Sequence, residues 1–251
     1  MAGIIDPSNV KGVKMISDPA DNRSSESLYI EARSLEGRVL TDDQVSRLPN
    51  TSAEQSHHQE WQLRSKSYRR LLSVLKRLKP TSLLDIGCGN GWMMANLSTE
   101  FPRCRMTGVD LNLTELDQAS RLLTQKNVEL YYLNLMEEPF FENGTLDVIV
   151  FNASIQYFSD LTGIIERAKT LLKPKGSILI NDSPFYDSTA LALAAAKRSK
   201  EYYSKLGVPD MSKRYYHHTS HELLHLGLKQ YFGWRYLITR LPFPLYLYTK
   251  S

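Results

Sequence analysis

The ten residues Leu83-Leu84-Asp85-Ile86-Gly87-Cys88-Gly89-Asn90-Gly91-Trp92 constrain this chain more than any other stretch. An apolar, strand-like run ends in three glycines at alternate positions, and a helix-period segment, Trp92 to Glu100, begins at once. Glycines at such a turn let the backbone reverse sharply and approach a ligand closely, while the free amides of the helix start favour a carboxylate or phosphate.

Around this turn, short β-rich runs alternate with helix-period segments. Ser82 to Ile86 precedes Trp92 to Glu100; Arg105 to Val109 precedes Thr114 to Gln125; then come Val128 to Leu133, Asp147 to Phe151, Leu161 to Leu172 and Ser177 to Asn181. Alternation of this kind implies an α/β, Rossmann-like sheet, mostly parallel, with helices on both faces. Leu161, Ile164, Ile165, Ala168, Leu171 and Leu172 make one apolar stripe that Asp160 can cap. Glu60 to Leu78 is amphipathic and stops at Pro80.

Two segments interrupt the pattern. Residues 1–59 are polar and rich in Ser, Asp, Asn and Pro, and are expected to form a partly ordered lid ahead of a domain spanning 60–251. Residues 182–218 carry an Ala-rich helix near Ala190 to Lys205 and a Gly207-Val208-Pro209 stop, which reads as an insertion capping the sheet's carboxyl edge. The end reads as a helix from Ser220 to Tyr231 and two antiparallel strands, Trp234 to Arg240 and Leu245 to Thr249, for seven strands in all with the last antiparallel.

Composition narrows the class. The chain has 42% hydrophobic and 23% charged residues, so disorder throughout is excluded, and a net charge of +4 is too mild to demand nucleic acid. Two cysteines, Cys88 and Cys104, argue for a reducing compartment, and neither a membrane span nor a leader is evident, so a cytoplasmic location is expected.

Thr107-Gly108-Val109-Asp110-Leu111 is a second strand ending in a carboxylate, about twenty residues after the glycines, where a bidentate acceptor can meet both hydroxyls of a ribose. A dinucleotide fingerprint needs Gly-x-Gly-x-x-Gly, and here Trp92 stands where its third glycine should be.

The glycine loop resembles motif I of class I, Rossmann-like methyltransferases, of the kind with a type 11 or 25 domain, in which the loop passes under the methionine part of S-adenosylmethionine. The resemblance spans about residues 60–250 and is detailed from 82 to 182. It implies S-adenosylmethionine as cofactor, held by Asp85, Gly87, Cys88, Gly89, Gly91, Asp110 and Leu111. Leu133 to Phe140 resembles the adenine-side stretch, with Asn134 where Asp is common and Leu135 beside it; Asn152 to Tyr157 resembles the segment beside the sulfonium. Asp110 otherwise reads as a solvated strand-end carboxylate or a helix cap, and Asn134 and Asn152 as turn formers.

Methyl transfer from a sulfonium chiefly requires the acceptor to be held in line, so no metal is expected and acceptor residues are left to variable segments. His217, His218 and His221 are candidate general bases, and Tyr157 and Asp182 are further candidates at strand ends facing the ligand crevice. His217, His221 and His225 also have the spacing of a helical metal site, or of plain surface. The expected reaction is methylation of an oxygen or nitrogen of a small molecule, with anionic and glycan-like acceptors open. An RNA or protein methyltransferase and a non-catalytic cofactor-binding module stay open beside it. The basic and tyrosine-rich run from Lys197 to Tyr216 would serve the first of these, or be a solvated helix face.

Overall fold

A computed structural model of the chain describes residues 5–231, 241 and 243–251. In order, the regular elements are β1 (Val13–Met15), α1 (Pro19–Leu35), α2 (Asp42–Ser46), α3 (His58–Leu78), β2 (Ser82–Ile86), α4 (Trp92–Glu100), β3 (Arg105–Asp110), α5 (Leu113–Leu122), β4 (Val128–Tyr132) and β5 (Leu146–Asn152). They continue with α6 (Leu161–Leu171), β6 (Leu172–Asn181), α7 (Thr189–Leu206), α8 (Ser220–His225), β7 (Lys229–Gln230) and β8 (Tyr246–Thr249). Short 3-10 turns lie at Pro7–Asn9, Ile155–Tyr157 and Pro209–Arg214.

The strands form one sheet in the order β1-β4-β3-β2-β5-β6-β8-β7, parallel except where β8 runs antiparallel between β6 and β7. Side chains alternate across it, because successive residues of a strand point to opposite faces. Leu83, Met106, Val150 and Leu179 join Leu71, Leu75, Met94 and Leu116 in the core on one face. Their neighbours Leu84, Ile149, Ile178 and Ile180 join the α6 stripe of Ile164, Ile165 and Ala168 on the other. Each such side chain contributes about 1.5–3 kcal/mol by leaving water. The buried register pins β2 between β3 and β5, where the winding of the sheet reverses and a crevice opens at the carboxyl ends.

Three features differ from the sequence reading. The described sheet has eight strands, six of the seven expected plus Val13–Met15, which pairs in parallel with Leu130–Tyr132 at the edge, and Lys229–Gln230; three residues are too few to show a period. The described part of 1–59, expected as a polar lid, contributes an edge strand and α1, with Asp18 capping α1 and Glu26, Ile30 and Ala32 buried. Finally, the helix expected over Ser220 to Tyr231 ends at His225, since Gly227 takes φ 78° and releases Lys229–Gln230 to pair with β8. The strand expected over Trp234 to Arg240 lies outside the described residues.

The insertion forms α7, capped by the Ser188 side chain and ended by Gly207 at φ 90°. With the turn at Pro209–Arg214 it packs on α1 through Ala32, Tyr203, Val208 and Met211, so α1 and the insertion together roof the crevice.

Candidate cofactor and acceptor site

A cavity of about 480 Å³ opens at that crevice. Its floor is the glycine loop. Gly87 takes φ 76°, and its amide and that of Cys88 donate to the Val109 carbonyl at 2.8 and 3.1 Å. A Cβ on Gly87 would overlap that of Ser154, whose hydroxyl donates to the Ile86 carbonyl at 2.5 Å. The glycine is therefore required twice, by its dihedral and by the close approach of the next strand's end.

Asp110 secures the same loop. Its Oδ2 accepts from the Gly89 amide at 2.8 Å and its Oδ1 from the Asn112 amide at 2.8 Å. Each carboxylate oxygen keeps a further lone pair for a ligand. The cap of α5 is Asn112, whose side chain accepts from the Glu115 amide, so Asp110 holds the loop instead of the helix while it lines the cavity.

The cavity is acidic on its glycine-loop side, where Asp110 and Glu115 line it and Asp85 lies buried behind them. Asp85 is 1% exposed, its Oδ1 has no hydrogen-bond partner, and burial reinforced by the neighbouring Asp110 charge pushes it up to about 8. Burial likewise raises Asp110 against its backbone hydrogen bonds, and raises Glu115 to about 7. Such groups bind a proton in the folded chain over a range where the unfolded chain has lost it, so stability falls as pH rises through about 4 to 8. His217 and His218 oppose this below about 6.5, since burial lowers both. Between pH 7 and 8.5 the carboxylates dominate, and the melting temperature of the ligand-free protein is expected to fall across that window in a scanning-fluorimetry series. Asp85→Asn should flatten the fall; an unchanged slope would remove Asp85 from the account.

Of the cofactor residues expected from sequence, Gly87, Gly89, Asp110, Leu111, Asn134 and Leu135 line the cavity. Asp85, Cys88, Gly91 and Asn152 do not. Cys88 turns into the core, where its Sγ lies 2.8 Å from the place a Gly108 Cβ would occupy. Gly91 takes φ 74° at the start of α4, and Asn152 Oδ1 accepts from the Asn181 side chain at 2.9 Å. Asn134 Oδ1 accepts from the Met136 amide at 3.2 Å, so it also forms its own turn.

Of the catalytic candidates, Tyr157 alone lines the cavity. Its hydroxyl accepts from Arg33 Nη2 at 3.1 Å, and its ring meets Tyr29 edge-on at 5.6 Å. His218 is buried with Nε2 2.9 Å from the Phe158 carbonyl, which ties it to the turn behind the cavity. His217 Nδ1 lies 3.2 Å from the Tyr186 hydroxyl, and His221 is exposed in the first turn of α8. Asp182 is buried at φ 56°, 3.7 Å from Arg64. Among the described residues no three His, Cys, Asp or Glu side chains gather as metal ligands, and no helix is long and apolar enough to cross a membrane.

The sequence reading expected a lid and a cap but, apart from the basic run that holds Arg214, did not single out the residues they bring to the cavity. Glu26 and Tyr29 of α1, Glu115 of α5, and Met211 and Arg214 of the insertion all line the cavity. Glu26 Oε1 takes the Thr114 amide at 2.9 Å, and Arg214 donates to the Ser25 hydroxyl, which latches the insertion to α1. The available signal was the Leu28-Tyr29-Ile30 run inside an otherwise polar segment.

Comparisons with known proteins agree with this geometry. Residues 83–176 match a family described as a methyltransferase domain. The chain is 34% identical over 100 residues to a malonyl-[acyl-carrier protein] O-methyltransferase of Priestia megaterium, covering 40% of this chain and 36% of that protein. It is 32% identical over 112 residues to ribosomal RNA small subunit methyltransferase C of Buchnera aphidicola, covering 42% and 34%. The chain thus spans about a third of the length of these curated relatives. Among solved structures, a Haemonchus contortus phosphoethanolamine N-methyltransferase bound to phosphomonomethylethanolamine and S-adenosylhomocysteine aligns with TM-score 0.51 and 26% identity, over 63% of this chain and 36% of that one.

Proposed function

We propose, for a chain that carries a class I S-adenosylmethionine-dependent methyltransferase domain, that it transfers the methyl group of S-adenosylmethionine to an oxygen or nitrogen of a small or carrier-tethered acceptor. One observation carries this reading: the glycine cradle that a Cβ would fill is clamped through the Gly89 amide by Asp110, which still has acceptor capacity facing the cavity. A cofactor with a sulfonium and an ammonium fits a half-cavity whose carboxylates Asp110 and Glu115 face inward.

S-adenosylmethionine, when bound, supplies a methyl carbon whose bond to sulfur breaks onto sulfur as an acceptor lone pair forms the new bond. The protein's work is positioning. Asp110 would take the ribose hydroxyls and Asn134 and Leu135 would border the adenine, while Gly87 and Ser154 fix the floor of the cavity. Tyr157, its oxygen already accepting from Arg33, directs its own proton into the cavity and orients an acceptor oxygen or nitrogen. Roofing by α1 and the insertion keeps water from the methyl group.

The acceptors in the names of these relatives, malonyl-[acyl-carrier protein] for O-methylation and phosphoethanolamine for N-methylation, define the panel to screen with labelled methyl donor. Label transferred to carboxylate or amine acceptors supports the reading. Transfer to ribosomal RNA alone would move it to the RNA class, and tight cofactor binding without transfer to any of these would favour a non-catalytic module.

A further inference from the structure

Glu115 stands apart from the groups already assigned. It lies on α5, five residues after Asp110, and lines the cavity opposite the glycine loop. Its Oε2 sits 2.6 Å from where a Gly89 Cβ would be, so it faces the middle glycine of the cradle directly. The glycine itself is required by its φ of 53°, since the flexible Glu115 carboxylate could move aside for a Cβ.

Arg33 acts on Glu115 only at a distance, and no cation pairs with it directly among the described residues. The carboxylate's one hydrogen bond is long, from the Tyr29 hydroxyl at 3.5 Å. Arg33 is the nearby guanidinium, but its Nη1 is engaged by Glu36 at 3.2 Å and its Nη2 by the Tyr157 hydroxyl at 3.1 Å. Asp110 and Glu26, the other charged groups facing it, add repulsion. An unpaired carboxylate in a recess is costly unless a ligand brings the missing charge.

We propose that Glu115 is a cofactor-binding residue that takes the α-ammonium of the amino-acid end of S-adenosylmethionine. The inference rests on the cofactor reading above. The resemblance to motif I implies that the amino-acid end would pass over the glycines, and Glu115 is the acidic side chain poised over Gly89. Asp110 then holds the ribose and Glu115 the amino acid, two carboxylates on one strand-to-helix segment reading two parts of one ligand. Tyr29 and Tyr157 line the same cavity, and the Tyr29 ring already carries the Arg33 guanidinium over its face at 5.0 Å.

The test is calorimetric titration of wild type and Glu115→Gln with S-adenosylmethionine, S-adenosylhomocysteine and 5′-methylthioadenosine, which lacks the amino-acid end. Glu115→Gln should weaken the first two about equally, by tenfold or more, and leave the third unchanged. Its melting temperature without ligand should hold or rise, because a repelled carboxylate has become neutral; a structural role predicts a fall. Equal weakening of all three ligands, or of none, overturns the assignment, and loss confined to S-adenosylmethionine would place Glu115 at the sulfonium instead. If wild type binds none of the three, the cofactor reading itself fails, which is a different result from a wild type that binds and a variant that matches it.

Discussion

Asp110→Ala is expected to weaken S-adenosylmethionine binding about a hundredfold or more. Two losses combine. The ligand hydroxyls lose a charged acceptor, where each bond to an ionised group contributes about 1.5–3 kcal/mol. The Gly89 and Asn112 amides, held at 2.8 Å by the two carboxylate oxygens, lose their partner, so the loop is no longer set for the ligand. Asp110→Asn should be milder, since an amide keeps one acceptor oxygen. Isothermal titration separates these outcomes, and near-wild-type affinity in Asp110→Ala would remove the ribose assignment.

Gly87→Ala is expected to be the more damaging to the fold itself. Alanine is disfavoured at φ 76°, and its methyl would overlap Ser154 Cβ, which cannot retreat because the Ser154 hydroxyl is bonded to the Ile86 carbonyl. Overpacking and dihedral strain together cost about 3 kcal/mol, which for a chain of this size lowers the melting temperature by roughly 10 °C. Gly37→Ala is the control: Gly37 also has positive φ, at 68°, but a Cβ there meets nothing within 4 Å. It should cost only the dihedral strain. Equal losses in the two variants would show that close approach to Ser154 contributes nothing.

The parts of this architecture that were legible in sequence are those with local causes. Gly87, Gly89 and Gly91 declare a backbone that must turn left-handed against a ligand, and Leu83-Leu84 declares a strand buried on both faces. Asp110 could be placed because its distance from the glycines is set by one βα unit. What was not legible depends on partners remote in sequence. Val13–Met15 becomes a strand because β4 offers an unpaired edge, and Tyr29 reaches the cavity because α1 crosses to meet residues more than eighty positions away. Glu115 looks like any charged residue on an amphipathic helix until Gly89 is folded beneath it.

The histidines show the converse error. His217, His218 and His221 cluster in sequence at the end of the insertion, and proximity suggested a base. Folding separates them: His218 is drawn inward to the Phe158 carbonyl, His217 packs beside Tyr186, and His221 faces solvent. Tyr157, in the turn after β5, is the candidate that reaches the cavity, through an arginine contributed by a helix the sequence reading took for a partly ordered lid.

The central claim, that this crevice is built for S-adenosylmethionine, is tested most directly by titrating the purified protein with S-adenosylmethionine, S-adenosylhomocysteine and NAD in a calorimeter. The account predicts micromolar binding of the first two and none of NAD. Binding of NAD alone, or no heat from either sulfur ligand, would contradict it.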